Sequence, residues 1–449
     1  FSFMEKTAFA YPQNCRPDRS GGICGFLNRQ LIFMEPSVFL CMPNPTDYSP
    51  SPYDALLLWA MAAVAFFVFY SNFMIAPLVP AFSREFGVTP YQLGWLVPSF
   101  SIAYAVSTLI YGVFSDRFGR APVLLVLLLF ASLTSLLVSF AHTARELILL
   151  RMLSGAGCGG IVTITLASIG DRYPYAVQGR PMGKIFGAVA AGMGLGSSFG
   201  PLLNPLIGWR TQVRALACGY ALAAVLVTQC KRSFLHANGR LDSYRKIGLE
   251  YVSVVDSSRG GAAIAFIFCN GVFHGGVFAW LGLLVATRYH LGDAGIGLML
   301  AGYGLPDLVF GGVIGGWADR YGRRYVVPSG FLWAGSCALL LALPISRLSA
   351  ALVITALSVG FEATHPLMSS IATSLDPRHR GQITGLATFT KFLGMAAGAL
   401  IFQHLMGLSF RTALIVFGTM EVVAGIAAIH GFRKEGSRKD QDRAYAASP

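Results

Sequence analysis

Long apolar runs separated by short polar stretches occupy the chain from Asp54 onward. A helix that crosses a bilayer needs ~20 apolar residues, whereas a barrel strand is an alternating segment of about 10. The runs here are continuous, so the pattern predicts an all-α integral membrane protein with about twelve transmembrane helices. The predicted spans are 55–82, 91–114, 121–141, 146–169, 181–206, 211–230, 260–286, 294–316, 325–345, 349–374, 381–406 and 410–432.

One long polar stretch, 231–259, interrupts this series between the sixth and seventh spans. The first 52 residues are rich in proline and contain no apolar run long enough to span a membrane. We therefore expect five parts: a disordered leader (1–52), an N-terminal six-helix bundle (53–232), a cytoplasmic linker (233–259), a C-terminal six-helix bundle (260–432) and a cytoplasmic basic tail (433–449).

Composition agrees with a membrane protein, because 54% of the residues are hydrophobic and only 12% are charged. Soluble domains carry about 25% charged residues. The formal net charge of +13 would suggest a nucleic-acid partner in a soluble protein. Here Lys and Arg concentrate in the predicted inner loops and in the tail, as the positive-inside rule requires. We expect both termini in the cytoplasm and no nucleic-acid partner.

A nine-residue motif after the second span recurs after the eighth span. Both copies follow the pattern Gly-x-x-x-Asp-Arg-x-Gly-Arg. Their defining residues are Gly112, Asp116, Arg117, Gly119 and Arg120 in the first copy, and Gly315, Asp319, Arg320, Gly322 and Arg323 in the second. A repeat of this kind indicates two pseudo-symmetric halves, an architecture that transporters use to hold substrate between the halves.

The motif resembles the loop signature of the major facilitator superfamily, and the resemblance extends from Asp54 to Phe432. It implies two six-helix bundles, alternating access and a gating role for the motif. The fifth span contains Gly196-x-x-x-Gly200-Pro201, which is similar to the signature of the drug:proton antiporters of that superfamily. That signature continues to a glycine pair, whereas this chain has Asn204-Pro205. The glycines also fit small-residue helix packing without a role in coupling.

Arg151 begins a glycine-rich stretch of the fourth span that resembles the corresponding pattern of the same superfamily. An arginine at membrane depth costs about 3 kcal/mol or more, so we expect it to face the bundle interior and a partner. The resemblance links this position to proton coupling. The alternative is an arginine close enough to the surface to extend into the headgroups.

A few other ionisable residues are predicted inside the spans, and they point to mechanism. Burial favours the protonated form of a carboxyl group, which can then exchange a proton near neutral pH. Glu362 is the first candidate. The complete set of proton-coupling candidates is Arg151, Asp307, Glu362, Lys391 and Glu421. Each is equally compatible with an interhelical salt bridge.

Polar and aromatic residues of the spans are candidates for the substrate cavity. They are Asn72, Tyr104, Asn270, His274 and His365, with Tyr70, Phe273, Trp280 and Tyr303 beside them. Glu362 and His365 share a helix face, but a di-iron bundle needs a second Glu-x-x-His, which the sequence lacks. We expect no metal and no cofactor.

These observations predict a secondary transporter that exports small, drug-like or amphipathic molecules in exchange for protons. The alternatives are proton symport or facilitated uptake of a sugar or organic anion, and a transporter-like sensor. The sequence contains no His-Glu-x-x-His, Gly-x-Ser-x-Gly or Walker motif, so we expect neither an enzyme nor an ATP-driven pump. We expect a monomer in the plasma membrane, or in the inner membrane if the source is bacterial.

Overall fold

The computed structural model describes residues 52–173, 179–229, 255–304, 314, 316–318, 320–375 and 380–433, and within them it leaves the side chains of 52–54, 258, 362, 373–375 and 380–382 undescribed. Several predictions from the sequence therefore lie outside the described residues. They concern the leader up to residue 51, the linker up to residue 254, the tail from residue 434, Asp307, Gly315, Asp319 and the Glu362 side chain.

Every regular element in the described ranges is a helix, which confirms the all-α prediction. In chain order the helices are α1 (Pro52–Phe73), α2 (Val79–Phe86), α3 (Leu96–Phe118), α4 (Arg120–Val138), α5 (Ala144–Arg172), α6 (Gly179–Gln229), α7 (Ser258–Tyr289), α8 (Asp293–Leu300), α9 (Arg323–Leu341), α10 (Arg347–Leu375), α11 (Arg380–Met406) and α12 (Phe410–Gly431). Short 3₁₀ turns at Ala76–Leu78 and Pro90–Leu93 precede α2 and α3.

Ten helical stretches of the described chain are long and apolar enough to cross a membrane. One of them, Gly179–Gln229, has 51 residues, which at 1.5 Å per residue greatly exceeds a bilayer core of about 30 Å. Gly208 breaks this stretch with a φ of 73°, a conformation that glycine adopts at little cost. The 51-residue stretch therefore contains both the predicted fifth and the predicted sixth span. The predicted eighth span is described only in part, as α8 and the residues that follow it.

The helix ends follow from local chemistry. The Thr143 side chain accepts a hydrogen bond from the backbone N–H of Glu146 at 3.2 Å, and the Glu146 carboxylate in turn accepts from the N–H of His142 at 2.8 Å. The side chains of Ser257 and Ser409 likewise accept a hydrogen bond from a backbone N–H in the first turn of α7 and α12. Such caps satisfy amide groups that the first helical turn leaves without partners.

The repeated motif has the same backbone conformation at its second glycine in both halves. Gly119 adopts φ 91° and ψ 148° where α3 meets α4, and Gly322 adopts φ 95° and ψ 144° where α9 begins. Residues with a Cβ rarely adopt this region. The internal repeat of the sequence is thus also a repeat of backbone geometry.

Residues 52–229 are called the first half below, and residues 255–433 the second half. In the first half α1 packs on α6, and α5 packs on α3 and α4. In the second half α7 packs on α11, and α9 packs on α10 and α12. Between the halves, α3 contacts α11 and α6 contacts α8. The helix pairs that join the two halves border the site described next.

Apolar side chains also cover the outer surface. Val126, Leu129 and Leu133 lie on one face of α4 with exposed fractions of 65%, 58% and 53%. Such a face suits contact with lipid, where an apolar side chain loses nothing by being outside the core.

Candidate functional site

Arg151 lies on α5 and is 2% exposed, so its guanidinium is inside the protein. Nη1 donates to the carbonyl oxygen of Ser71 at 3.4 Å and to its Oγ at 3.5 Å, while Nη2 donates to Oδ1 of Asn72 at 3.4 Å. Nε has no hydrogen-bond partner. In the described part of the chain the guanidinium thus contacts only neutral acceptors, at the long end of hydrogen-bond range.

A series of aromatic rings connects Arg151 to the second half. Its guanidinium carbon lies 4.1 Å from the centre of the Phe100 ring. Phe100 stacks on Tyr104 at 5.8 Å, and Tyr104 stacks on Phe392 of α11 at 4.1 Å. Glycines make this possible, because a Cβ at Gly155 or Gly159 would collide with the α3 backbone at Phe100 or Tyr104. We call Arg151, Phe100, Tyr104 and Phe392 the aromatic ladder.

A second aromatic cluster surrounds His274 on α7. Its ring stacks on Phe361 at 4.1 Å, and its Nε2 lies 3.2 Å from the hydroxyl oxygen of Tyr303. Phe73 of the first half packs against Phe278 at 4.8 Å and against His274 at 5.9 Å. The predicted cavity residues His274 and Tyr303 therefore lie beside the contact between the two halves.

The second half contains a buried carboxyl group. Glu421 of α12 is 0% exposed, and its Oε1 accepts a hydrogen bond from Nδ2 of Asn270 at 3.4 Å. The same amide group donates to Thr364 at 3.1 Å, and Oε2 of Glu421 has no hydrogen-bond partner. Asn270 thus makes its described hydrogen bonds inside the second half, and none of them reaches the first half.

Two more predicted residues lie in the interior of the second half. Lys391 is 7% exposed. Nδ1 of His365 is buried without a hydrogen-bond partner. No described contact joins either side chain to Arg151. The predicted coupling residues Arg151 and Lys391 therefore lie in different halves.

The first copy of the repeated motif forms an ion network. Asp116 pairs with Arg120, whose Nε also donates to Oδ2 of Asp171 at 3.0 Å and whose Nη1 donates to Oγ of Ser115 at 2.6 Å. Asp171 lies in the last turn of α5 and was missed by the sequence reasoning. Its position in the sequence, next to the loop arginine Arg172, is the signal that could have identified it.

The first arginine of each motif copy lies over a neighbouring aromatic ring. Arg117 is 5.3 Å from the centre of the Phe118 ring, and Arg320 is 5.4 Å from that of Tyr321. In the fifth span, a Cβ at Gly196 would lie 2.7 Å from Tyr70 O of α1, and a Cβ at Gly200 would lie 2.7 Å from Cβ of Met74, which follows α1. Pro201 follows them and is buried.

The described residues contain no cluster of His, Cys, Asp and Glu that could hold a metal ion. The four described cysteines are free, and two of them, Cys158 and Cys337, are buried. The described candidates are therefore a buried guanidinium with stacked aromatic rings at the contact between the halves, and a buried carboxyl group inside the second half.

Comparison with known proteins agrees with this architecture. The "uncharacterized MFS-type transporter YceJ" of Bacillus subtilis (strain 168) is 26% identical over 408 residues, which cover 86% of this chain and 99% of YceJ. The "efflux pump dotC" of Dothistroma septosporum is 29% identical over 164 residues, which are 36% of this chain and 28% of dotC.

A solved structure shares the fold. The crystal structure of a bacterial homologue of the human lysosomal transporter Spinster, inward-facing and unoccupied, has a TM-score of 0.70 at 14% identity and covers 86% of this chain and 99% of its own. The sequence profile of the Major Facilitator Superfamily matches residues 61–294 and 263–448. With the repeated glycine motif and the two contacting halves, this match shows that the chain belongs to the Major Facilitator Superfamily of secondary transporters.

Proposed function

We propose that the protein exports small amphipathic molecules in exchange for protons, by alternating access and as a monomer. It acts in the plasma membrane, or in the inner membrane of a bacterium, with both termini in the cytoplasm. The aromatic ladder carries this proposal. When the halves part, a pocket would form between Tyr104 of the first half and Phe392 of the second. This pocket would offer aromatic faces and one cation, which suits a molecule with an apolar body and a polar end.

Burial of Glu421 supports the exchange of protons. An ionised carboxylate with one amide partner at 3.4 Å is costly inside a protein, so Glu421 needs either a proton or a compensating charge. A group in this situation can bind a proton in one state and release it when its surroundings change. Glu362, Asp307 and Lys391 remain further coupling candidates, with Glu362 first.

The network of the repeated motif supports alternating access. Asp116, Arg120 and Asp171 join the end of α3 to the end of α5 within the first half. Such an ion network has discrete arrangements, so breaking and remaking it can bias the equilibrium between two states. The partial similarity to dotC, whose name describes an efflux pump, is consistent with export.

Transport in proteoliposomes tests the proposal. The purified protein is reconstituted, a pH gradient is imposed, and a panel of fluorescent amphipathic compounds is followed. We expect an outward proton flow to drive compound into the vesicles. Accumulation that instead follows an inward proton flow would rule out exchange.

A second candidate function is uptake of an organic anion, and one observation favours it. Arg151 contacts only neutral acceptors among the described residues, so an anionic substrate could supply the missing charge. The same vesicles distinguish the two functions, because uptake with protons requires an inward proton flow and an anionic compound. Proton symport of a sugar would show the same direction of coupling with a neutral compound.

A further inference from the structure

Asp293 connects the two halves through both of its carboxylate oxygens. Oδ1 accepts a hydrogen bond from Nη2 of Arg84, on α2, at 2.5 Å. Oδ2 accepts one from Nδ2 of Asn204, on α6, at 2.8 Å. Asp293 is the first residue of α8, so one carboxylate of the second half binds two different helices of the first half.

The surroundings of Asp293 strengthen these bonds. Its side chain is only 12% exposed, whereas that of Arg84 is 58% exposed. The positive end of the α8 dipole also favours a carboxylate in the first helical turn. A cavity of about 590 Å³, lined by Arg84, Asn204 and Asp293 among others, lies beside the contact. Water and small reagents can therefore reach the pair from this face.

A neutral contact joins the halves on the other side of the same face. Nε2 of Gln403, on α11, donates to the carbonyl oxygen of Tyr91 at 2.8 Å. The Gln403 side chain occupies the space beside Gly94, where any Cβ would collide with it. This contact lacks charge and depends on a glycine, so the ionic contact at Asp293 is the one that a single substitution can remove cleanly.

All three hydrogen bonds that join described residues of one half to described residues of the other belong to these two contacts. The described hydrogen bonds between the halves thus all lie at the Asp293 face.

We propose that Asp293, held by Arg84 and Asn204, is the latch that keeps this face closed, and that its release opens the face during transport. Positive-inside orientation makes this the outer face. Asn204 stands where the antiporter signature would have glycine, and its amide group is used for this bond. The latch requires only alternating access, so it does not depend on the substrate or on proton coupling.

A cysteine reporter under the latch provides the test. Ser198 is 3% exposed and its backbone oxygen faces Gly297 of α8 across the contact between the halves. In a background without other reactive cysteines, Ser198→Cys reports opening through its reaction with a membrane-impermeant maleimide. We expect Asp293→Ala to raise the labelling rate on the order of tenfold, within the usual range of such couplings. Asp293→Asn, which removes the charge but keeps a polar side chain, should raise the labelling rate less.

Glu85 provides the matched control. It lies on the same cavity, but its partners Arg210 and Trp209 both belong to the first half. Glu85→Gln should therefore leave the labelling rate unchanged. The swapped pair Arg84→Asp with Asp293→Arg keeps an ion pair and should restore most of the slow labelling, although an arginine at a helix start is less favourable.

Three results would overturn the latch. These are an unchanged labelling rate in Asp293→Ala, an equal increase in Glu85→Gln, and fast labelling in the swapped pair while the protein stays folded. Because no substrate is present, these results leave the proposed export untouched. Conversely, failure to export any compound would leave the labelling result standing.

Discussion

Arg151 is a buried cation with neutral hydrogen-bond partners. Its effect on the stability of the protein can therefore be distinguished from its effect on transport. Removing water from a guanidinium is expensive, and acceptors at 3.4–3.5 Å repay only part of the cost. A residue that costs stability and is nevertheless present inside the membrane is a candidate for function. Its side chain also contacts Phe100, so a movement of one half against the other would reach Arg151 through the aromatic ladder.

We predict that Arg151→Met abolishes driven transport without lowering stability. Methionine has a similar length and needs no polar partner, so the melting temperature in detergent should stay equal or rise. Thermal unfolding and vesicle flux measure the two effects. Arg145→Met, a change at an exposed arginine of the same helix, should affect neither. A melting temperature lower by several degrees with normal flux would assign Arg151 a structural role.

We predict that Glu421→Gln retains exchange of compound but loses acceleration by a pH gradient. Glutamine keeps an oxygen that accepts from Asn270 and cannot release a proton, so the fold should be preserved. Vesicle flux with and without a gradient measures the difference. Asp256→Asn at an exposed position is the control. Full acceleration in Glu421→Gln would leave Glu421 as a structural hydrogen-bonding residue and move proton coupling to the other candidates.

At the scale of elements, glycines determine how closely the helices approach. Gly192, Gly196 and Gly200 lie on the face of α6 that packs against α1, and a Cβ at any of them would be within 2.5–2.7 Å of an atom of α1 or of Met74, which follows it. Gly187 lies on the same helix and has open space around it. The same residue type therefore has different roles two turns apart.

We predict that Gly196→Ala lowers the stability of the protein by about 1–3 kcal/mol, because α1 must move to admit the methyl group. Gly187→Ala should be neutral or slightly stabilising, since alanine is the better helix former. Melting temperatures in detergent measure both. Equal effects of the two substitutions would show that the contact with α1 does not limit stability.

At the scale of the whole molecule, the hydrogen bonds that join described residues of the two halves all lie at one face. Asp293 and Gln403 make these bonds. In the orientation that the positive-inside rule predicts, this is the outer face.

The orientation itself is testable. His142 lies between α4 and α5 on the predicted outer side, and Arg180 lies in the first turn of α6 on the predicted inner side; both are exposed. We predict that His142→Cys reacts with an impermeant reagent in intact cells and that Arg180→Cys reacts only after permeabilisation. The reverse pattern would invert the assignment of outer and inner faces and make the latch a cytoplasmic one.

Sequence alone determined the helices, most of their limits and the repeat. In a bilayer every backbone amide must be paired within its own helix, so a continuous apolar run of sufficient length is already a spanning helix. The backbone turns at Gly119 and Gly322 in the repeated motif also follow from local sequence, because a glycine is required wherever φ is near 90°. The division between the fifth and sixth spans at Gly208 followed from the same local chemistry.

Only the tertiary structure decided which side chains meet. The spans are apolar on nearly all faces, since lipid and protein interior both accept apolar residues, so the sequence shows no period that marks the inward face. For this reason Asp171, Asp293 and Gln403 were missed, and Asn270 turned out to serve the interior of the second half. Ion pairs such as Arg84 with Asp293 join residues 209 positions apart, and such a contact exists only once the halves have come together.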